Sequence, residues 1–408
     1  MAMVPIDQLS SGMMLAEDVR DINARLLLSK GLHIKAKHIR ILKMWGIFQI
    51  HVAGTEPVPR QADGVDDAEH MERVKQVMLR EFAALDLEHP AIRELLRLLI
   101  PYRTKKMQQC PSIDPPAAKP PAPEASPSKD ILTGMEHLGI KLPEVPAIVF
   151  ELNEIIADPL SSAADIARLV NQSPSLAALL LKLVNSAFYG FRSKIDSISR
   201  AVVLIGSKEV SSLALGITTM ETFKNIPGKV MDVASFLEHN LACGTAARIL
   251  AAHGNIMSTE QLFVSGMLHD IGRLVLCKYF PRAAASALAN ALHRDRPLLK
   301  TEGDMIGYTH AQIGSHLIKK WKLPYALENN IRYHHNPSAS PNPESAAVVQ
   351  MADIIVHGLG IGASGEHKVP GFDVKAWDRL GLSAGALPSV VHHIIQQMEK
   401  FRKIFTGE

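Results

Sequence analysis

The stretch MLHDIGRL, residues 267–274, decides both the fold and the chemistry that the chain can support. It places His269 and Asp270 in an otherwise apolar helical run, where a sequence that built only a core would carry leucine. Burying an imidazole and a carboxylate is costly unless something compensates for their lost hydration. Because a metal ion is a common compensation, the stretch predicts a metal site inside a helical protein.

Further metal-ligand candidates lie in the same C-terminal half of the chain. They are His239, His310, His334, His335 and Asp353. Nitrogen and oxygen donors without thiolate suit a divalent transition metal such as Mn, Fe or Zn, and a carboxylate can bridge two ions. The set predicts a mononuclear or dinuclear hydrolytic site, or the relic of one.

The cysteines and the hydropathy pattern indicate a reducing compartment. Cys110, Cys243 and Cys277 are scattered and match neither a disulfide framework nor a CxxC metal-binding motif. No run approaches the about 20 apolar residues that cross a bilayer, and the first residues lack the pattern of a signal peptide. We therefore expect a cytoplasmic protein without a membrane partner.

Length and charge limit the classes of partner. With 408 residues, 47% of them hydrophobic, the chain can form two or three domains with a substantial core. The formal net charge is +3 and the basic residues are dispersed, so no basic patch indicates nucleic-acid binding. A protein or a small molecule is the partner that this composition favours.

A proline-rich linker divides the chain. Residues 111–129 hold seven prolines among alanines and serines, and we assign the linker to residues 109–130. Over residues 1–54, apolar runs and turn residues predict a small α+β module with a hairpin, a helix over residues 36–45 and a return strand. Residues 66–108 form a charged helical segment, either a helical hairpin or a dimerising stalk, so a homodimer stays open.

From residue 131 to residue 408 the pattern changes to helix after helix, and strand-type alternation almost disappears. Ser173 followed by Pro174 is a strong start signal for a helix. Similar starts occur near Ser162, Ser197 and Ser207. We expect a mainly α protein whose body is all-α, has a single core and ends in a C-terminal helical extension.

Four motifs in this body resemble the signature of the HDOD family, bacterial signalling modules related to HD phosphohydrolases. They are LPEVP at 142–146, NQSPSL at 171–176, LVNSAFYG at 183–190 and AVVLIG at 201–206. The similarity runs from about residue 134 to about residue 357. It implies an all-α HD-like fold and, because HDOD modules are generally viewed as output or scaffold domains, signalling through protein contacts.

Two N-terminal motifs carry a second resemblance. GMMLAEDV at 12–19 and LLLSKG at 26–31 look like the small module that often precedes HD-type signalling domains. Such domains include the cyclic-di-GMP phosphodiesterases of the HD-GYP class.

The resemblance to HD enzymes implies roles for the histidines and aspartates. HD phosphohydrolases hold metal with a His, a His-Asp pair and a distant Asp, which correspond here to His239, His269, Asp270 and Asp353. By similarity to the HD-GYP subgroup, three further residues would complete a second metal position: His310, His334 and His335.

Three departures from the HD-GYP pattern argue against efficient hydrolysis. Arg273 stands where those enzymes have Lys, and Ser235 stands where they have a carboxylate one turn before the first His. The double His is followed by NPSAS, residues 336–340, in place of an acidic residue and a Gly-Tyr-Pro signature. Arginine is a poor general acid, although Arg273 could stabilise developing negative charge.

Structural roles are the alternatives for these residues. His269 and Asp270 could form a satisfied buried polar cluster inherited from an enzyme ancestor. His334 and His335 could cap the helix that begins near Pro324. His310 could simply be a residue at the start of a helix.

A DNA-binding role is the weaker hypothesis. Residues 201–215 have the pattern of a helix-turn-helix, with the turn at Gly206 and Ser207. Lys208 is the only cation on the would-be recognition helix, and Glu209 would repel phosphate.

We therefore expect a bacterial signal-transduction protein that acts as an output or scaffold module. The alternative is a metal-dependent phosphohydrolase that acts on a cyclic dinucleotide or another phosphate ester, with Arg273 and Asp270 as catalytic residues. An enzyme needs its ligands about 2.0–2.3 Å from a common ion beside an open, phosphate-sized cleft, whereas a scaffold tolerates a closed site.

Overall fold

The computed structural model describes residues 64–109, 146–158, 161–185, 193–223 and 230–406, shorter stretches before residue 54, and residues 191 and 226. Residues 110–130 of the predicted linker and residues 186–190 of the third motif lie outside the described residues. The predicted fold class, mainly α, is confirmed. A helical body is combined with a small N-terminal module that contains strands.

The N-terminal module contains five short strands among the described residues. They are β1 (Ala2–Pro5), β2 (Met14–Leu15), β3 (Val19–Arg20), β4 (Leu26–Leu28) and β5 (Gln49–Ala53). β5 pairs antiparallel with β1 and β2, and Val52 lies opposite both Ala2 and Leu15. β3 pairs antiparallel with β4. Of the helix predicted over residues 36–45, only His38 and Leu42 are among the described residues.

A helical hairpin follows, formed by α1 (Gly64–Glu81) and α2 (Pro90–Gln109). Pro90 occupies the first turn of α2, where its missing N–H costs no hydrogen bond. The hairpin buries Met78, Phe82 and Leu99 in the same hydrophobic core as the helices that follow. The predicted segment over residues 66–108 is therefore packed against the body along its apolar face.

The helices of the body are named in chain order. The first five are α3 (Ala147–Ala157), α4 (Ala163–Asn171), α5 (Pro174–Val184), α6 (Ile198–Ile205) and α7 (Ser207–Glu221). The next five are α8 (Val233–His253), α9 (Thr259–Leu268), α10 (Ile271–Tyr279), α11 (Pro281–His293) and α12 (Leu298–Ile306). The last five are α13 (His310–Lys320), α14 (Tyr325–Tyr333), α15 (Pro343–Leu359), α16 (Val374–Arg379) and α17 (Leu387–Thr406).

Serine side chains start three of these helices, as the sequence predicts. Ser162 forms a capping box with Asp165, and the hydroxyls of Ser173 and Ser197 accept hydrogen bonds from backbone N–H groups three residues on. α7 begins at Ser207, but its cap is Gly206, whose φ of 97° is a conformation that favours glycine. The middle of α7 is buried, so the would-be recognition helix belongs to the core.

Glycines let the central helices approach closely. A Cβ on Gly266 of α9 would lie 2.7 Å from the carbonyl oxygen of Cys243 on α8. A Cβ on Gly272 of α10 would lie 1.9 Å from the carbonyl oxygen of His310 on α13. These contacts leave no room for a side chain, so both crossings require glycine.

Residues 360–368, which we call the strap, connect α15 to α16 and contact two parts of the molecule. On one side, Lys106 of α2 donates to the carbonyl of Gly360, and Lys368 donates to the carbonyl of Arg80 at a distance of 3.0 Å. On the other side, the N–H of Ala363 donates to the carbonyl of Ser235 on α8, 3.1 Å away. The strap thus lies between the hairpin and α8.

Within the described part of the chain, no helix combines the length and the hydropathy that a bilayer crossing requires.

Candidate metal centre

The predicted ligands converge because six helices place them at neighbouring positions. His239 lies on the buried face of α8, and Asp353 lies on α15. The others lie at helix ends: His269 at the end of α9, Asp270 before α10, His310 at the start of α13, and His334 and His335 after α14. All seven meet in one region, which we call the His/Asp cluster; His335 is half-buried and the rest are buried.

Four residues form the first ligand group: His239, Cys243, His269 and Asp353. One donor atom from each lies within 4.8 Å of all the others. Nε2 of His239 is 3.2 Å from Oδ1 of Asp353, and Nε2 of His269 is 3.8 Å from the same oxygen. Sγ of Cys243 is 3.5 Å from Nε2 of His239.

Four other residues form the second ligand group: Asp270, His310, His334 and His335. Nε2 of His310 is 3.1 Å from Oδ1 of Asp270 and 2.9 Å from Nε2 of His335. Nε2 of His334 lies 4.0 Å from the same Asp270 oxygen. The structure therefore places one oxygen of Asp270 among the three later histidines.

Asp270 also joins the two groups. Its Oδ2 is 3.4 Å from Nε2 of His269 in the first group, while its Oδ1 faces the histidines of the second. Neither oxygen has a hydrogen-bond partner among the described residues. A carboxylate with one oxygen toward each ligand group has the geometry of a bridging ligand in a two-metal site.

Backbone hydrogen bonds orient two of the imidazoles. Nδ1 of His269 donates to the carbonyl of Gly266, and Nδ1 of His334 donates to the carbonyl of Ile331, each at 2.7 Å. In the neutral ring this arrangement leaves the Nε2 lone pair available for a metal. Both Nε2 atoms are buried and lack a hydrogen-bond partner in the described structure. A set of inward-facing donors without partners fits a divalent metal better than a satisfied polar cluster.

A carboxylate, Glu302 of α12, orients the imidazole of His310, as backbone carbonyls orient His269 and His334. Its Oε2 accepts hydrogen bonds from Nδ1 of His310, at 2.6 Å, and from the backbone N–H of the same residue, at 2.8 Å. Burial alone would lower the pKa of His310, but the Glu302 carboxylate outweighs burial and raises it to about 9. A carboxylate behind a ligating histidine is a common support in metal sites.

Burial and neighbouring charges set the protonation of three further groups: His334, His335 and Asp270. Burial lowers the pKa of His334 to about 3, with further repulsion from His269 and His310, and it lowers the pKa of His335 well below its ordinary value. Burial would raise the pKa of Asp270, but the Arg273 guanidinium outweighs this and holds the pKa well below its usual range. Two neutral imidazoles and an ionised carboxylate are in the forms that bind metal.

Arg273 pairs with Asp270 and with the strap. Its Nε lies 3.2 Å from Oδ1 of Asp270, and one terminal nitrogen donates to both the carbonyl and the hydroxyl oxygen of Ser364 in the strap, each at 2.9 Å. Burial would lower the pKa of Arg273, but Asp270 and further carboxylates keep it above its ordinary value. A cavity of about 10 Å³ beside Arg273, Glu302 and Ser364 has room for about one water molecule.

Sequence reasoning missed Cys243 and Glu302. Cys243 lies four residues after His239, which is the spacing of neighbours on one helix face, so that interval was the available signal. Glu302 lies on a separate helix from His310, and no spacing rule connects the two residues.

An all-α body whose helix ends gather a buried His-Asp cluster is the class of domain called HD-like. The HDOD domain family model matches residues 142–337, so the chain contains an HDOD domain. That match includes all the cluster residues except Asp353. A relation of the N-terminal module to those of other HD-type proteins stays a prediction.

One sequence relative and one solved structure resemble parts of this chain. An uncharacterized protein of Treponema pallidum (strain Nichols) is 27% identical over 202 residues, which are 49% of this chain and 39% of that protein. A solved HDOD domain protein of unknown function from Geobacter sulfurreducens has 23% identity and a TM-score of 0.55, covering 67% of this chain and 98% of its own. The chain thus spans well under half the length of its sequence relative.

Two further solved structures carry provisional functional names. A protein from Marinobacter aquaeolei VT8, provisionally named for signal transduction, has 17% identity and a TM-score of 0.53, covering 87% of this chain and 68% of its own. A protein from Shewanella amazonensis SB2B, provisionally named a phosphohydrolase, has 22% identity and a TM-score of 0.51, covering 66% of this chain and 97% of its own. At these identities the likeness concerns the fold.

Proposed function

We propose that this chain is a bacterial signal-transduction protein whose HDOD domain acts as an output module through protein contacts, with a metal-binding His/Asp cluster that does not support efficient hydrolysis. The observation that carries the proposal is the closure of the cluster. The donor groups are largely buried, and the strap lies against both α8 and Arg273.

Closure matters because hydrolysis of a phosphate ester needs a phosphoryl oxygen at the metal. The residues that would hold metal are the two ligand groups, and a metal bound there would supply Lewis acidity and lower the pKa of a bound water. Arg273 keeps its proton and is committed to Asp270 and Ser364, so it is poorly placed to protonate a leaving group.

Exposed apolar side chains support a role in protein contacts. Val203 and Leu204, neighbours on α6, expose 77% and 44% of their surface, and Phe150 on α3 exposes 45%. The provisional signalling name of the Marinobacter protein points in the same direction.

A metal-dependent phosphohydrolase acting on a cyclic dinucleotide or another phosphate ester is the second candidate. The position of Asp270 between two ligand groups favours it, because dinuclear phosphodiesterases use bridging ligands of this kind. The provisional phosphohydrolase name of the Shewanella protein belongs with this alternative.

Metal analysis combined with a turnover assay separates the two candidates. We expect the wild-type protein to contain Mn, Fe or Zn, the His269→Ala/Asp270→Ala variant to lose it, and neither to hydrolyse cyclic dinucleotides or a generic phosphodiester with added Mn. Turnover by the wild type that disappears in the variant would overturn the output role and establish a hydrolase.

A further inference from the structure

We propose that Cys243 is a thiolate ligand of the first group, which makes that group a closed zinc site; this inference deepens the proposed function and rests on it. His239, His269 and Asp353 supply the other three donors. The second group, with nitrogen and oxygen donors alone, would then differ in its metal preference.

The positions of the donor atoms support a single ion. Tetrahedral bonds of about 2.0–2.3 Å place ligand atoms about 3.3–3.8 Å from one another. The distances from Asp353 Oδ1 to His239 Nε2 and His269 Nε2 are 3.2 and 3.8 Å, and Cys243 Sγ is 3.5 Å from His239 Nε2. These three spacings fit edges of one coordination tetrahedron, and the remaining donor pairs lie within 4.8 Å.

The geometry of α8 places the thiol of Cys243 on the same helix face as His239, beside the first ligand group. Residues four apart face the same side of a helix, so His239 and Cys243 project together from α8. The close approach at Gly266 brings α9 against the backbone of Cys243, and α9 ends at His269 three residues later. The thiol of Cys243 therefore lies within 4.8 Å of a donor nitrogen of His269, which comes from another helix.

A second observation concerns the ring nitrogen Nε2 of His269, which faces the first ligand group. Nε2 of His269 is fully buried, is turned inward by the hydrogen bond from Nδ1 to Gly266, and has no hydrogen-bond partner among the described residues. A metal ion held by the first group would give this nitrogen a partner.

The donor set selects the metal. Thiolate together with imidazole and carboxylate favours zinc over manganese or magnesium, which prefer oxygen donors. Four protein ligands, with an Asp270 oxygen 3.4 Å from His269 Nε2 as a further nearby donor, leave no open position for substrate, which is the pattern of structural zinc. On coordination the thiol proton passes to solvent, because the metal binds the thiolate.

Cys277 provides the matched control. It is also buried, on the adjacent helix α10, and it belongs to neither ligand group. We expect Cys243→Ser to weaken zinc binding by more than the about 10–100-fold that loss of a supporting residue causes, and Cys277→Ser to leave it unchanged. Equal zinc affinity in wild type and Cys243→Ser, measured by chelator competition, would overturn the proposal.

Cobalt substitution gives a test that does not depend on how well Cys243→Ser folds. In Cys110→Ser/Cys277→Ser, Cys243 is the sole cysteine, because the chain has three. We expect Co(II) loaded into this variant to show a thiolate-to-cobalt charge-transfer band; a cobalt-loaded variant without the band would overturn the proposal. Phosphodiester turnover by the wild type would overturn the proposed output function, whereas the absence of the cobalt band would overturn only the thiolate ligand. The two proposals can therefore fail separately.

Discussion

Single hydrogen bonds decide what the buried imidazoles can do. His269 and His334 both follow the last turn of a helix, and each donates through Nδ1 to a carbonyl that the helix end leaves without a partner. The capping role that the sequence suggests for His334 and the ligand role are therefore compatible, since each uses a different ring nitrogen. Sequence alone predicts the histidines as candidates, but the tautomer depends on a backbone carbonyl that no motif encodes.

Removing Glu302 should change how stability depends on pH in the chelator-treated protein. The pKa of His310 rises from 6.5 to about 9 on folding, so the protonated imidazole contributes stability that is complete below pH 6.5 and is lost as the pH rises through about 9. We expect Glu302→Gln to reduce this loss, measured as urea unfolding at several pH values across the window. Glu344→Gln, an exposed carboxylate on α15, is the control, and an identical loss in wild type and Glu302→Gln would contradict the assignment.

Replacing Asp270 should affect both ligand groups, whereas replacing Asp353 should affect one. Asp270 faces His269 with one oxygen and His310 with the other, while Asp353 contacts only the first group. We expect Asp270→Asn to lower the metal content of the protein further than Asp353→Asn, measured by elemental analysis after dialysis. Equal losses would show that Asp270 does not bridge.

At the scale of elements, helix starts could be predicted and helix crossings could not. N-cap serines predict the start of three helices, because a cap is a local interaction between residues three apart; they are Ser162, Ser173 and Ser197. The crossings at Gly266 and Gly272 join residues from different helices, so their requirement for glycine appears only when the backbones are in place. The ligand groups depend on these crossings, which explains why Cys243 escaped prediction.

Gly272→Ala should destabilise the protein and disturb the second ligand group. The added Cβ would meet the carbonyl of His310, and relief requires α10 and α13 to move apart, at a cost of about 1–3 kcal/mol or more. Gly303→Ala is the matched control, because its Cβ meets nothing within 4 Å on the exposed face of α12 and alanine favours helix. Thermal unfolding checks both; equal midpoints for Gly272→Ala and Gly303→Ala would show that the crossing tolerates a side chain.

For the whole molecule, the mainly α class can be predicted from composition and periodicity. The packing of the α1–α2 hairpin against the helical body cannot. The hairpin of α1 and α2 precedes the proline-rich segment, so the sequence suggests a separate unit before a linker. In the structure, Phe82 and Leu99 of the hairpin lie against Gly358 at the end of α15, and the hairpin shares the core of the body. Contacts between residues that are hundreds of positions apart leave no local signal.

Because the core is shared, the hairpin and the body should unfold together. We expect Phe82→Ala to cost about 3–5 kcal/mol of global stability and to shift the whole urea transition, because Phe82 is fully buried. Phe150→Ala, at a residue with 45% of its surface exposed, should cost much less. Two separate transitions, or a loss confined to the hairpin, would show that the hairpin is an independent unit.

The strap gives the buried cluster a connection to the surface that needs no channel. Both ends are tied to the hairpin, one through Lys106 at Gly360 and the other through Lys368 at Arg80, and the middle of the strap contacts Ser235 and Arg273. Anything that pulls the hairpin outward must also strain or break the bonds that hold the guanidinium against Asp270. We therefore expect a displacement of the hairpin to be transmitted through the strap to Arg273, and a change at the cluster to be transmitted back along the same bonds.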